Sequence, residues 1–161
     1  MEIKLENASN QPLISLIAEH PLLKGMSAEQ LQTLAASAML KEFAAGECIF
    51  IEGDMANCFY LICEGKVALE SSRKDEASVL IQYIGTGGVL GWSWLFPPYY
   101  WHFSARAVEP TKAMFFYGTR LREQCEQDKS LGYELMKRMA EIVIQRLQAT
   151  RKQLLESRRQ Q

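Results

Sequence analysis

The sequence holds little of what catalysis and metal binding require. Histidine occurs twice, as His20 and His102, far apart in the chain. The four cysteines, Cys48, Cys58, Cys63 and Cys125, supply no pair of CxxC motifs at zinc spacing. No nucleophile motif and no P-loop is present. These absences speak against an enzyme and against a metal site. Basic charge is not in surplus either: 18 Lys and Arg face 19 Asp and Glu, a formal net charge of −1. That removes the overall electrostatic case for nucleic-acid binding. No apolar run approaches the ~18 residues that span a bilayer. The start, Met1-Glu2-Ile3-Lys4-Leu5-Glu6, lacks the basic and apolar regions of a secretory signal. The expectation is a cytoplasmic protein with reduced thiols. Three cysteines lie in apolar strand-like runs, where a small buried thiol is the expected state.

What is present suffices for one folded domain with an appendage. The chain has 161 residues, 48% hydrophobic and 23% charged, enough to bury a core. Three segments are expected: a helical segment over 1–40, a β section over 41–118 and a long helix with a basic tail over 119–161. From Arg146 to Gln161 there are five basic residues (Arg146, Arg151, Lys152, Arg158, Arg159) and one acid, Glu156. This reads as the solvated flank of a helix, with phosphate contact by charge alone as the other reading.

A short helix is expected over 11–19, broken at His20-Pro21 because the residue before proline is pushed out of the helical region. Ser27 and Gln30 form a capping box. The helix they open places Leu31, Leu34, Ala35, Ala38 and Met39 on one face. After Lys41 the rhythm becomes short and glycine-punctuated. Strands are expected over 48–51, 58–63, 67–70, 79–84, 103–108 and 112–117, separated by turns at Gly46, Gly53, Gly65 and Gly85–Gly88. Arg73–Glu76 reads as a charged hairpin tip. Strands at this spacing imply an all-β barrel or sandwich. Trp92–Phe96 reads as one helical turn stopped by Pro97-Pro98. From Thr119 the period is helical again. Met136, Ala140, Val143, Leu147, Thr150 and Leu154 recur at heptad spacing, with Leu135, Met139 and Ile142 widening the stripe. Such a seam suits a parallel homodimer. The plainer reading packs the helix on its own barrel alone.

Phe43-Ala44-Ala45-Gly46-Glu47, Glu52-Gly53-Asp54, Phe59–Val67 and the segment from Gly88 to Ala107 together resemble the cyclic-nucleotide-binding domain, as found in stand-alone bacterial members of that family. The likeness spans roughly residues 20–155. It implies a mainly β fold, a jelly-roll-like β-roll with flanking helices and a long C-terminal dimerisation helix. It also implies a phosphate-binding cassette over 85–106: glycine, glutamate, an apolar residue, a small residue and a short helix, then an arginine before a serine or threonine. Helix amides face the cyclic phosphate, the arginine pairs with it, and the glutamate accepts the ribose hydroxyl.

Laid on this chain, Gly88, Leu90 and Gly91 match the small and apolar positions, while Val89 stands at the glutamate. Trp92 and Ser93 begin the short helix. Ser104 matches the serine position, Phe103 replaces a small residue, and Trp101 falls at the arginine. Residues 97–103 contain no arginine or lysine. Arg106 comes later, either reaching the pocket or pairing with a surface acid; His102 either contacts a ligand or bonds to a carbonyl. The expectation is a site that has departed from cyclic AMP binding. The aromatics of 92–101 either line a site for a planar or lipid-like ligand or fill the space that a nucleotide takes in relatives. No cofactor is implied beyond a cyclic nucleotide or an apolar small molecule. Two functions follow: a ligand sensor that acts through its long helix, or a ligand-free dimeric interaction module with a protein partner. A nucleic-acid accessory role through the tail is a third. No DNA-reading module is expected.

Overall fold

The computed structural model describes residues 13–71 and 77–159. The hairpin tip at Arg73–Glu76 and the first residues lie outside them. Residues 13–19 form helix α1. Helix α2 (Ala28–Ala35) opens with the expected capping box: Ser27 Oγ accepts from the Gln30 amide at 3.1 Å, and the Gln30 side chain accepts from the Ser27 amide at 3.1 Å. It is shorter than its apolar period suggests. Ala38 and Met39 leave the helix for strand β1 (Ala38–Phe43), because six residues there pair with the strand Thr111–Tyr117.

The strands β2 (Cys48–Phe50), β3 (Cys58–Glu64), β4 (Lys66–Ser71), β5 (Val79–Gly85), β6 (Val89–Leu90), β7 (Ser104–Ala107) and β8 (Thr111–Tyr117) complete the roll. They form two antiparallel four-stranded sheets, ordered β1-β8-β3-β6 and β2-β7-β4-β5. Strand β6 is an addition to the sequence reading: two residues, caught between glycines, pair with Tyr60 and Leu61.

The unbroken apolar run of β3 follows from its two buried faces. Phe59 and Leu61 join Met114 and Phe116 of β8 in a cluster with the helices. Tyr60 and Ile62 join Ala113, Phe115, Val67 and Ala105 inside the roll. Alternation on a pleated strand produces this division.

Two helices follow the roll, α3 (Gly118–Gln127) and α4 (Lys129–Arg159). The break between them was not read from the helical period. Asp128 makes it: in extended conformation, its Oδ1 accepts the Leu131 amide at 3.2 Å and caps α4. At 31 residues, α4 is about 46 Å long at 1.5 Å per residue. Leu131, Leu135 and Met139 are buried against the roll and Ile142 packs beside them. They therefore belong to the inward face and do not widen the outward seam. Of that seam, Met136, Ala140, Leu147, Thr150 and Leu154 are exposed and Val143 is half-buried.

His20 ends α1 in a buried setting, its Nδ1 accepting the Leu22 amide at 3.1 Å. Burial lowers its pKa; the nearby Gly88 and Ile62 carbonyls oppose that, but neither closes a hydrogen bond with Nε2. All four cysteines are free. Burial pushes the Cys58 and Cys125 thiols up to about 11, leaving them unreactive at neutral pH. Cys48 departs from the expected burial: it is exposed, near the edge of the short strand β2.

Candidate functional site

The cassette segment is held from both sides. Val89 and Leu90 are buried in β6. Val89 packs in the cluster shared with the helices, and Leu90 faces the roll interior. Gly88 precedes them, its amide donating to the Gly85 carbonyl and its carbonyl accepting the Ile62 amide at 2.9 Å. Gly91 follows with φ +97°, a left-handed conformation that a side chain adopts only under strain. A Cβ there would lie 2.5 Å from the Trp101 ring. The 3-10 turn Ser93–Leu95 comes next. From α3, Arg122 donates to the Trp94 carbonyl at 2.6 Å and lies 3.9 Å over the Tyr99 ring. That clasp accompanies Tyr99 at φ +61°, a strained conformation for a bulky residue.

Trp101, at the position the resemblance assigns to the arginine, is 5% exposed. Its ring stacks on Phe50 with centroids 3.8 Å apart and planes 9° apart. Its backbone is fixed: the amide donates to the Asp54 carbonyl and its carbonyl accepts from Gly53, both at 2.9 Å. Trp92, Ser93, His102 and Phe103 line the same small cavity. Its volume is about 10 Å³, room for about one water molecule. Small-molecule pockets run to about 300–1,000 Å³. Trp101 therefore fills the cassette end of the roll. Trp94 does not enter this cavity. It is fully buried on the helix side, 5.0 Å from Phe59.

The remaining cassette positions find partners within the chain. His102 Nδ1 and Ser93 Oγ are 2.8 Å apart. Ser104 Oγ accepts the Glu52 amide at 2.9 Å. Arg106 is exposed and pairs with Glu70 at 2.5 Å, so it takes the surface-acid alternative. Trp92 lies edge-on to Phe103, 5.8 Å away.

The cation that does reach the cavity is Arg146 of α4, which the sequence reading placed in the solvated basic flank. It is 5% exposed and lines the cavity with Trp101 and Phe50. Its Nη2 donates to the Val89 carbonyl, and Nη1 lies 3.5 Å from Gln82 Oε1. Nε is buried with no partner. Burial pushes its pKa down to about 10, so it stays charged at neutral pH. Among the described residues no acid pairs with it. Burying such a charge costs several kcal/mol, and two hydrogen bonds recover only part. The sequence carried a signal: Arg146 continues the inward spacing of Leu135, Met139 and Ile142.

A larger open groove, about 400 Å³, runs between Pro21, Gly87 and α4. Three of its charged groups are engaged: Arg138 binds the Leu22 and Lys24 carbonyls, and Glu134 pairs with Lys137 and Arg138. Among the described residues, no cluster of His, Cys, Asp or Glu could hold a metal ion, and no helix is long and apolar enough to cross a membrane.

The family model of the cyclic nucleotide-binding domain matches residues 40–128. A Geobacter metallireducens GS-15 structure, assigned to the cyclic nucleotide-binding proteins, is 32% identical. It covers 86% of this chain and 98% of its own, with a TM-score of 0.73. A cyclic nucleotide-binding domain from Methylobacillus flagellatus KT superposes with TM-score 0.75 at 17% identity, over 93% of this chain and 84% of its own. The sensor domain of the transcriptional regulator DNR from Pseudomonas aeruginosa gives 0.69 at 20% identity, over 87% and 94%. No curated protein matches. The family model covers more than half of the chain, and the Geobacter likeness runs nearly its full length: the chain belongs to the cyclic nucleotide-binding domain family.

Proposed function

We propose that this chain is a non-enzymatic regulatory domain that senses a ligand other than cassette-bound cyclic AMP and reports through α4. The observation that carries the reading is the Trp101 ring, stacked on Phe50 over Gly91 where a phosphate arginine is expected. The Val89 side chain has no atom to accept a ribose hydroxyl, and Arg106 is engaged by Glu70. Each lost charged hydrogen bond weakens binding by about 10–100-fold. The output is the long helix, whose exposed seam from Met136 to Leu154 suits a second copy of the chain. The free thiols fit a reducing, cytoplasmic setting.

A second reading is a ligand-free interaction module, favoured by the smallness of the cavity. Thermal unfolding with cyclic AMP, cyclic GMP, cyclic dinucleotides and an apolar-acid panel tests both. A ligand at 100 times its Kd adds about 2.7 kcal/mol, or several degrees of midpoint. The expected outcome is no shift with cyclic AMP and a shift with a non-nucleotide. A cyclic AMP shift would overturn the proposal. Silence across the whole panel would favour the interaction module.

A further inference from the structure

Arg146 and Trp101 meet in one cavity, and together they define a ligand. The ring of Trp101 lies flat on Phe50, only 9° from parallel. The surface it covers therefore suits a flat aromatic ring of any origin. Beside it, Arg146 is a buried cation with an unpartnered Nε, and no carboxylate is among the residues lining the cavity. A guanidinium offers a planar fork of donors that matches the two oxygens of a carboxylate.

We infer that the roll takes an aromatic carboxylate: its ring replaces Trp101 on Phe50 and its carboxylate pairs with Arg146 of the long helix. This rests on the sensor reading above and names the class of ligand. The volume argument supports displacement. The cavity of about 10 Å³ admits no ring while Trp101 is in place. The Trp101 backbone is tied to Gly53 and Asp54, so the opening step is a rotation of the side chain and leaves the loop where it is. The anion is held by α4, while Arg146 Nη2 already joins α4 to the Val89 carbonyl of β6. A carboxylate that competes for this fork changes the link between helix and roll directly. Ligand occupancy thus acts on α4 at the link between Arg146 and Val89 itself.

The test uses an indole-shaped hole. Trp101→Ala removes the plug, and indole-3-acetate and its neutral amide, indole-3-acetamide, are titrated by calorimetry against wild type and variant. In Trp101→Ala, the acid is expected to bind about 10–100-fold more tightly than the amide, the worth of one charged hydrogen bond. Adding Arg146→Met should abolish that preference while amide binding persists. Wild type should bind the acid more weakly than Trp101→Ala, because the resident ring must leave. If Trp101→Ala does not fold, Trp101→Leu and the wild-type acid-over-amide preference give the same readout. Equal binding of acid and amide, or a preference that survives Arg146→Met, overturns the carboxylate assignment and leaves the sensor reading standing. Binding of neither compound to folded wild type or variant overturns the inference, and the thermal panel above then decides the sensor reading by itself.

Discussion

The two faces of α4 carry apolar residues at the same alternation of threes and fours, yet they meet different surroundings. Inward, Leu131, Leu135 and Met139 are almost wholly buried under the roll. Outward, Leu147 is 67% and Leu154 64% exposed. An apolar stripe left in water wants a partner, whereas the inward stripe already has one. The inward stripe also contains a charge: Arg146 stands where an aliphatic residue would continue it. The helix is thus fastened to the roll by packing and by one buried cation, with its other side free to associate. A change at the cassette can reach the outward seam through this one element.

The contrast is broken most strongly from inside. Leu135→Ala should destabilise the domain by about 2–5 kcal/mol, the cost of an internal cavity, measured by urea unfolding. A loss below 1 kcal/mol would mean that the inward face is not what anchors α4. Gly91→Ala should cost about 1–3 kcal/mol, through its left-handed backbone and the Trp101 ring that its Cβ meets; intrinsic fluorescence should report the displaced indole. A proton sharpens the same side. His20 has a lowered folded-state pKa because it is buried, so the unfolded chain binds the proton more readily. Its stabilising contribution is full above the unfolded pKa near 6.5 and falls as pH drops through that value toward the folded one. Urea midpoints should therefore decline below pH 6.5, and His20→Asn should flatten the decline. Least affected is the outward face: in dilute protein Leu147→Ala should stay within about 0.5 kcal/mol of wild type, while reducing self-association.

Much of this fold was legible because its signals are local. Glycine turns, apolar runs in strands and the Ser27 capping box each act over a few residues. Positive φ at Gly46, Gly53 and Gly65 agrees with the turns read there, although in the later turn Gly87 takes that role and Gly85 and Gly88 do not. What escaped depends on tertiary partners. Ala38 and Met39 continue a helical period, but pairing with β8 claims them. Strand β6 is too short to show a period and exists through Tyr60 and Leu61. At the candidate site, the absence of a cassette arginine was readable from 97–103. The place of Arg146 was not, because its charge grouped it with a basic tail while its spacing grouped it with the core. Only the folded roll decides which grouping holds. Asp128 was a readable cap that the continuous helical period concealed.

The most direct measurement is the mass of the protein in solution, by sedimentation equilibrium, for wild type and for Leu147→Glu/Leu154→Glu. The account predicts a wild-type particle of two 18.3 kDa chains. The double variant should run as one chain and still unfold cooperatively, with a midpoint that no longer depends on protein concentration. A wild-type protein that sediments as a single chain at all concentrations, or a double variant that stays dimeric, would contradict it.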